Sequence, residues 1–207
     1  MMPLGREFCS AVQSIRPWKT VLEVGSRPAE GQEEIANLRT VFTTATRYLG
    51  VDALPGPGVD RVWDFTESVV GGADFPWKLD EFELCVSIDM LEHCRRPEDA
   101  VFHMSELAGN LALRTAFCAP VHNHPVDYWR FTPAILKEMV SEHYEFGFVA
   151  QDAPVVSVPS SEFHDWPHGV YAFGTMEESL RDALIVRLRA RPKKDIMMVS
   201  AWGAEPE

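Results

Sequence analysis

Short apolar runs that end in an acid or a glycine alternate along this chain with amphipathic helical stretches, and that alternation constrains the fold more than any other feature. The runs are 19–25 (KTVLEVG), 46–52 (TRYLGVD), 59–65 (VDRVWDF), 81–89 (EFELCVSID), 112–120 (ALRTAFCAP), 144–151 (YEFGFVAQ) and 195–203 (DIMMVSAWG). Their length and β-branched content read as buried strands. Between them, 30–42, 96–111, 131–143 and 176–190 space their apolar residues as helices do. In 96–111 the stripe is Ala100, Met104, Leu107 and Leu111, with Pro97 in the first turn; Thr132 and Pro133 open the helix 131–143. Strands alternating with helices imply right-handed crossovers and a mostly parallel sheet covered on both faces. Ligands bind such sheets beyond the carboxyl ends of the strands, so the informative residues are Glu23, Gly25, Asp52, Asp64, Asp89 and the loop after Pro120.

At 207 residues the chain is expected to be one domain, with its core over about 19–151. The tract 152–175, rich in Pro, Ser and aromatics, is expected to be a lid or insertion. No apolar run approaches the ~20 residues of a membrane span, and the N-terminus lacks the apolar core of a signal peptide, so a cytoplasmic protein is expected. A net charge of −12 argues against a broad nucleic-acid footprint and leaves a small molecule or a glycan as the expected substrate. The four cysteines form no CxxC pair and read as free thiols. Oligomeric state is open, a homo-oligomer included.

The turn after the first run, GSRPAEG (25–31), keeps only the outer glycines, Gly25 and Gly31, of a pyrophosphate-binding fingerprint. Glu23 before it and Glu30 within it disfavour a phosphate and suit a ligand with a positive ammonium or sulfonium. Glu23 can equally bond loop backbone. Asp52, with Ala53 beside it, ends the second run at the spacing where an acid takes ribose hydroxyls; it can also cap its own turn. Asp64 offers an acceptor for an exocyclic amine and Phe65 a flat neighbour, or both belong to an ordinary loop. The segment APVHNHPVDYWRF (119–131) gathers His122, His124, Asp127, Tyr128 and Arg130. A histidine oriented by an aspartate is a competent base near neutral pH. Tyr128 and Trp129 can form an apolar wall for a sugar or aromatic ring, and Asp127 and Arg130 can pair to fix the loop. His122 and His124 alone supply too few ligands for zinc.

Four stretches, VLEVGSRPAEG, YLGVDALPGPGVDRVWDF, FELCVSIDMLEHCRRPEDAV and HNHPVDYWRFTPAIL, together resemble the class I S-adenosylmethionine-dependent methyltransferases over residues 19 to 151. Within that superfamily they are similar to small bacterial members with an EMLEH-like motif and an HxHPxDYWRFTP-like motif. The resemblance implies a Rossmann-like, seven-stranded, mostly parallel sheet with helices on both faces and an antiparallel last strand, here 195–203. It implies S-adenosylmethionine as cofactor. Glu23, Gly25 and Ser26 would line its methionine end, Asp52 would hold the ribose, and Asp64 and Phe65 the adenine; Asp89 and Met90 would lie beneath the sulfonium, and Gly31 and Ala53 are further cofactor-binding residues. His124, His122, Asp127 and His93 are the candidates for catalysis, and Tyr128, Trp129 and Arg130 for the acceptor. Arg27 and Pro28 stand where many members carry glycine. The expected activity is methyl transfer to an oxygen or nitrogen. The alternatives are a non-catalytic sensor or partner subunit on the same fold, and a nicotinamide-dependent oxidoreductase, for which the pyrophosphate glycines are missing.

Overall fold

A computed structural model describes residues 3–66, 75–119, 121, 126–152, 168–191 and 196–203. Among these residues eight strands form one sheet: β1 (Thr20–Val24), β2 (Arg47–Asp52), β3 (Arg61–Val62), β4 (Leu84–Ile88), β5 (Asn110–Ala116), β6 (Phe146–Asp152), β7 (Gly169–Thr175) and β8 (Ile196–Trp202), in the order β3-β2-β1-β4-β5-β7-β6-β8. The pairs from β3 through β5 are parallel, whereas β7 runs antiparallel to both β5 and β6, and β8 antiparallel to β6.

Side-chain alternation along each strand sends residues to two cores. Leu22 and Val24 join a cluster with Ala100, Met104 and Leu107 of α3 (Pro97–Leu107) and Leu136, Met139 and Val140 of α4 (Pro133–Ser141). Val21 faces the other way, to Phe8 and Val12 of α1 (Pro3–Ile15) and Leu180, Leu184 and Leu188 of α5 (Glu178–Arg189). Each such fully buried aliphatic side chain contributes roughly 1.5–3 kcal/mol. Thr132 caps α4 by accepting from the Ile135 N–H, with Pro133 at the first helical position.

Four expectations need correction. The sheet has eight strands where seven were expected, because 169–175, placed in the lid tract, forms β7, buried along its whole length. The remainder of that tract, 153–167, lies outside the described residues. The strand beside β5 is therefore the antiparallel β7, while the last strand β8, on the sheet edge beside β6, is antiparallel as expected. The helix expected over 30–42 is only α2 (Glu33–Ala36): Asn37 turns out of helical geometry at ψ 89°, and a 3-10 turn at Leu38–Thr40 follows. Leu38, Val41 and Phe42 still reach the core, so burial survives the interruption. Finally α3 stops at Leu107 and Leu111 belongs to β5, while the third strand, expected over 59–65, is reduced to Arg61–Val62.

Candidate functional site

Strand order reverses between β2 and β4 on either side of β1, and the carboxyl ends of these strands converge there. Gly25 ends β1 with φ +82°, and a Cβ on it would lie 2.7 Å from Cβ and Cγ of Met90. Only glycine permits both that backbone and that contact. The Gly25 and Ser26 N–H groups both donate to the Val51 carbonyl, at 2.9 and 3.1 Å, tying the turn to β2. Ser26 is buried, and its Oγ has no hydrogen-bond partner. The loop after β2 folds over it so closely that a Cβ on Gly58 (φ +80°) would come 2.8 Å from the Ser26 carbonyl. Gly31 stands in open space beyond this packing.

Glu23 shares the strand face of Val21 and is buried; the Tyr48 hydroxyl donates to its Oε2 at 2.6 Å. Burial pushes its carboxyl up to about 8, against the opposing effect of that hydrogen bond. Asp52, half-buried at the end of β2, accepts from the backbone N–H of Arg27 at 3.1 Å and of Leu54 at 3.0 Å, with Ala53 exposed between them. A carboxylate has about four acceptor positions, so these two bonds leave capacity for two more. Asp64 accepts from the backbone and hydroxyl of Thr66. Phe65 is 3% exposed and stacked on Trp77 with centroids 5.7 Å apart, so its ring lies in the core. Trp63 packs edge-on against Phe75 and Trp77, and its indole Nε1 is buried with no hydrogen-bond partner.

At the end of β4, Asp89 takes a left-handed backbone conformation, φ 55°. Its carboxylate is paired with Arg114. Arg114 is buried in β5, in register with Ile88 of β4 and Tyr171 of β7. It also faces Asp152 at 3.7 Å and donates from Nε to the Tyr171 hydroxyl at 3.3 Å. Asp152 accepts from that same hydroxyl and from the Gly169 N–H. A charge buried in a strand has to be paired, and here two carboxylates and a phenol surround it. Sequence reading passed over this group, although an arginine inside the apolar run LALRTA was the available signal.

Two motifs that are far apart in the chain close on each other beside this network. The turn 91–95, a 3-10 helix over Leu91–His93 and the two residues after it, bonds to the loop 126–131 at five points. The Glu92 carbonyl accepts from Tyr128 N at 2.8 Å and Trp129 N at 3.2 Å. His93 Nδ1 meets the Val126 carbonyl at 3.1 Å, so that nitrogen carries the proton. The indole of Trp129 donates to the Cys94 carbonyl at 2.8 Å, and Arg95 Nε donates to the Tyr128 hydroxyl at 3.2 Å. The Glu92 side chain turns inward to accept from Thr115 Oγ1 at 2.7 Å; burial, reinforced by the Asp89 charge, pushes it up to about 7. Arg130 clasps Asp127 with two bonds of 2.6 Å and donates to the Ala119 carbonyl. Asp127 and Arg130 thus face each other, with the Asp127 side chain fully buried. Phe131 is core, whereas Tyr128 and Trp129 stand 43% and 45% exposed. His122 and His124 lie outside the described residues.

No family model matches this chain, and no curated protein matches it in sequence. Solved structures do. The cyclase SpnF superposes with a TM-score of 0.55 at 10% identity, over 82% of this chain and 81% of that one. A Thermotoga maritima SAM-dependent methyltransferase gives 0.51 at 14% identity, over 84% and 92%. The N-terminal domain of EvdMO1, solved with S-adenosylhomocysteine (SAH) and D-fucose, gives 0.53 at 14%, over 84% and 83%. Together with the strand order, the reversal at β1 and the antiparallel β7, these likenesses show that the chain has the class I fold of the S-adenosylmethionine-dependent methyltransferases.

Proposed function

We propose that this chain is an S-adenosylmethionine-dependent methyltransferase acting on an oxygen or nitrogen of a small molecule or glycan. One observation carries the reading most. Buried polar atoms with no protein partner, Ser26 Oγ and Trp63 Nε1, lie at the ends of β1 and β3, with the half-used carboxylate of Asp52 ending β2 between those strands. An unsatisfied buried polar atom costs about 1–3 kcal/mol, and a nucleoside with a polar tail would satisfy all three groups. When bound, the cofactor supplies a sulfonium methyl already activated for in-line displacement. Asp52 would hold the ribose hydroxyls, Trp63 would bond a nucleoside acceptor, and Ser26 with the Gly25 turn would hold the methionine end. Asp89, fixed by Arg114, sets the position of Met90 at the mouth. The two bonded loops hold the acceptor and exclude water from the transfer. His93, its Nδ1 bonded to the Val126 carbonyl, is the described residue we assign to take a proton from a hydroxyl acceptor. His122 and His124 are further candidates for that role.

Isothermal titration with S-adenosylmethionine, SAH and NADH tests this. Micromolar binding of the first two, weakened at least tenfold (about 1.4 kcal/mol) in Asp52→Ala and less in Asp52→Asn, is the expected result. Absence of binding by both would discard the reading. The non-catalytic sensor or partner subunit would then lead, because Asp52 already bonds the turn that carries Pro28, and α2 has only four residues.

A further inference from the structure

We infer that the acceptor bears a carboxylate on a ring, with Arg95 as its anchor and Tyr128 and Trp129 as the surface on which the ring lies. This names the substrate class for the methyl-transfer reading above and rests on it. Arg130, one of the acceptor candidates, has its guanidinium occupied by Asp127 at two points, the loop-fixing pair that the sequence also allows. The other arginines nearby are also matched: Arg96 by Asp99 and Arg114 by Asp89 and Asp152. Arg95 differs. It is exposed, lies 5.7 Å from the Tyr128 ring centroid and uses Nε on the Tyr128 hydroxyl. Among the described residues no carboxylate pairs with it, so both terminal nitrogens keep their donors. In a chain of net charge −12, an unmatched guanidinium beside the proposed site is suited to an anion, and its fork fits a carboxylate bidentately. The surrounding negative charge favours a monoanion over a dianionic phosphate.

The rings meet the second requirement. Tyr128 and Trp129 are each about half exposed, yet both are held: main-chain bonds to Glu92, the indole bond to Cys94 and the hydroxyl bond to Arg95 fix the pair. A flat ligand meets surfaces whose ordering cost was met on folding. Val126 beside them, 55% exposed, extends the apolar area. Met90, against Gly25, joins this turn to the proposed cofactor end.

The test is calorimetric titration of the full chain, with and without SAH, using four probes: 4-hydroxybenzoate, glucuronate, and the neutral counterparts 4-hydroxybenzamide and methyl glucoside. At least one carboxylate is expected to bind tenfold or more tightly than its neutral counterpart, and which one it is identifies an aromatic or a sugar ring. Arg95→Gln should abolish that preference without weakening the neutral probe, Arg95→Lys should keep part of it, and Trp129→Ala should weaken both probes. Thermal melting confirms that each variant folds. A preference that survives Arg95→Gln, or neither carboxylate being preferred, overturns the inference. The SAH titration on the wild-type chain reports separately on the methyl-transfer reading, so the two can fail independently.

Discussion

An alanine at position 25 would place its Cβ 2.7 Å from both Cβ and Cγ of Met90 while holding a backbone φ of +82°. Two costs follow, and they separate. The left-handed backbone costs an alanine roughly 1–2 kcal/mol. The collision is overpacking at a site where backbone hydrogen bonds to Val51 hold the turn, worth about 1–3 kcal/mol. Gly25→Ala should therefore lose about 2–5 kcal/mol, read as a lower urea midpoint at unchanged m-value. Repeating the substitution in a Met90→Gly background removes the colliding atoms and leaves the conformational cost alone. The loss there should fall to about 1–2 kcal/mol by the first estimate, and the difference is the coupling between the two strand ends. Equal losses in both backgrounds, or a loss below about 0.5 kcal/mol, would refute the claim that this glycine is required by contact with Met90.

Further outcomes follow from the buried polar groups. Glu23 is raised from 4.5 to about 8 in the folded chain, so the native state holds its proton more tightly than the unfolded chain does. Its stabilising contribution is complete below pH 4.5 and is lost as pH rises through about 8. Glu23→Gln should flatten the fall in stability between pH 5 and 9 by an amount on the order of 3–5 kcal/mol, and parallel stability–pH curves for the two proteins would count against it. Arg114→Met leaves the buried Asp152 and the half-buried Asp89 without their cation, with an expected loss of about 3–5 kcal/mol in urea titration; a loss under about 1 kcal/mol would show that the pairing is not what satisfies them. Thr132→Ala should cost about 1 kcal/mol through the lost cap at the start of α4, and an unchanged midpoint would contradict that role.

The strands that build the proposed site were legible because each is a compact apolar run with a polar residue at its end, as in VLEVG and YLGVD. What stayed hidden depends on contacts across the sheet. β7 lies inside a tract whose Pro, Ser and aromatic content reads as a lid, and its Gly169 and Gly174 are places where a Cβ would strike the Arg114 guanidinium or the Tyr144 ring, at about 2.6 Å in each case. That close approach is a contact across the sheet, which the composition of the tract does not encode. The helix expected over 30–42 failed for the opposite reason: Leu38, Val41 and Phe42 keep a helical spacing, yet Asn37 leaves helical geometry and the core accepts the residues from a tighter turn. At the site, DMLEHC and VDYWRF were each singled out, but their bonding to each other, and with it Arg95, depends on tertiary approach that neither motif encodes alone.

The position of β7 also governs how the chain comes together during synthesis. Residues through Ala116 can build the parallel half of the sheet, but among the described residues the outer edge of β5 pairs with Gly169–Thr175, and β6 joins the sheet through that same strand. Until those late residues leave the ribosome, a seven-residue strand that is buried in the finished fold offers an unpaired ladder, the kind of edge that recruits other chains. Sheet closure is thus a late, long-range event in a topology already slow by its non-local pairings. Truncation before Gly169 would remove the strand joining the two halves, and the fragment would be prone to aggregate before it could bind anything.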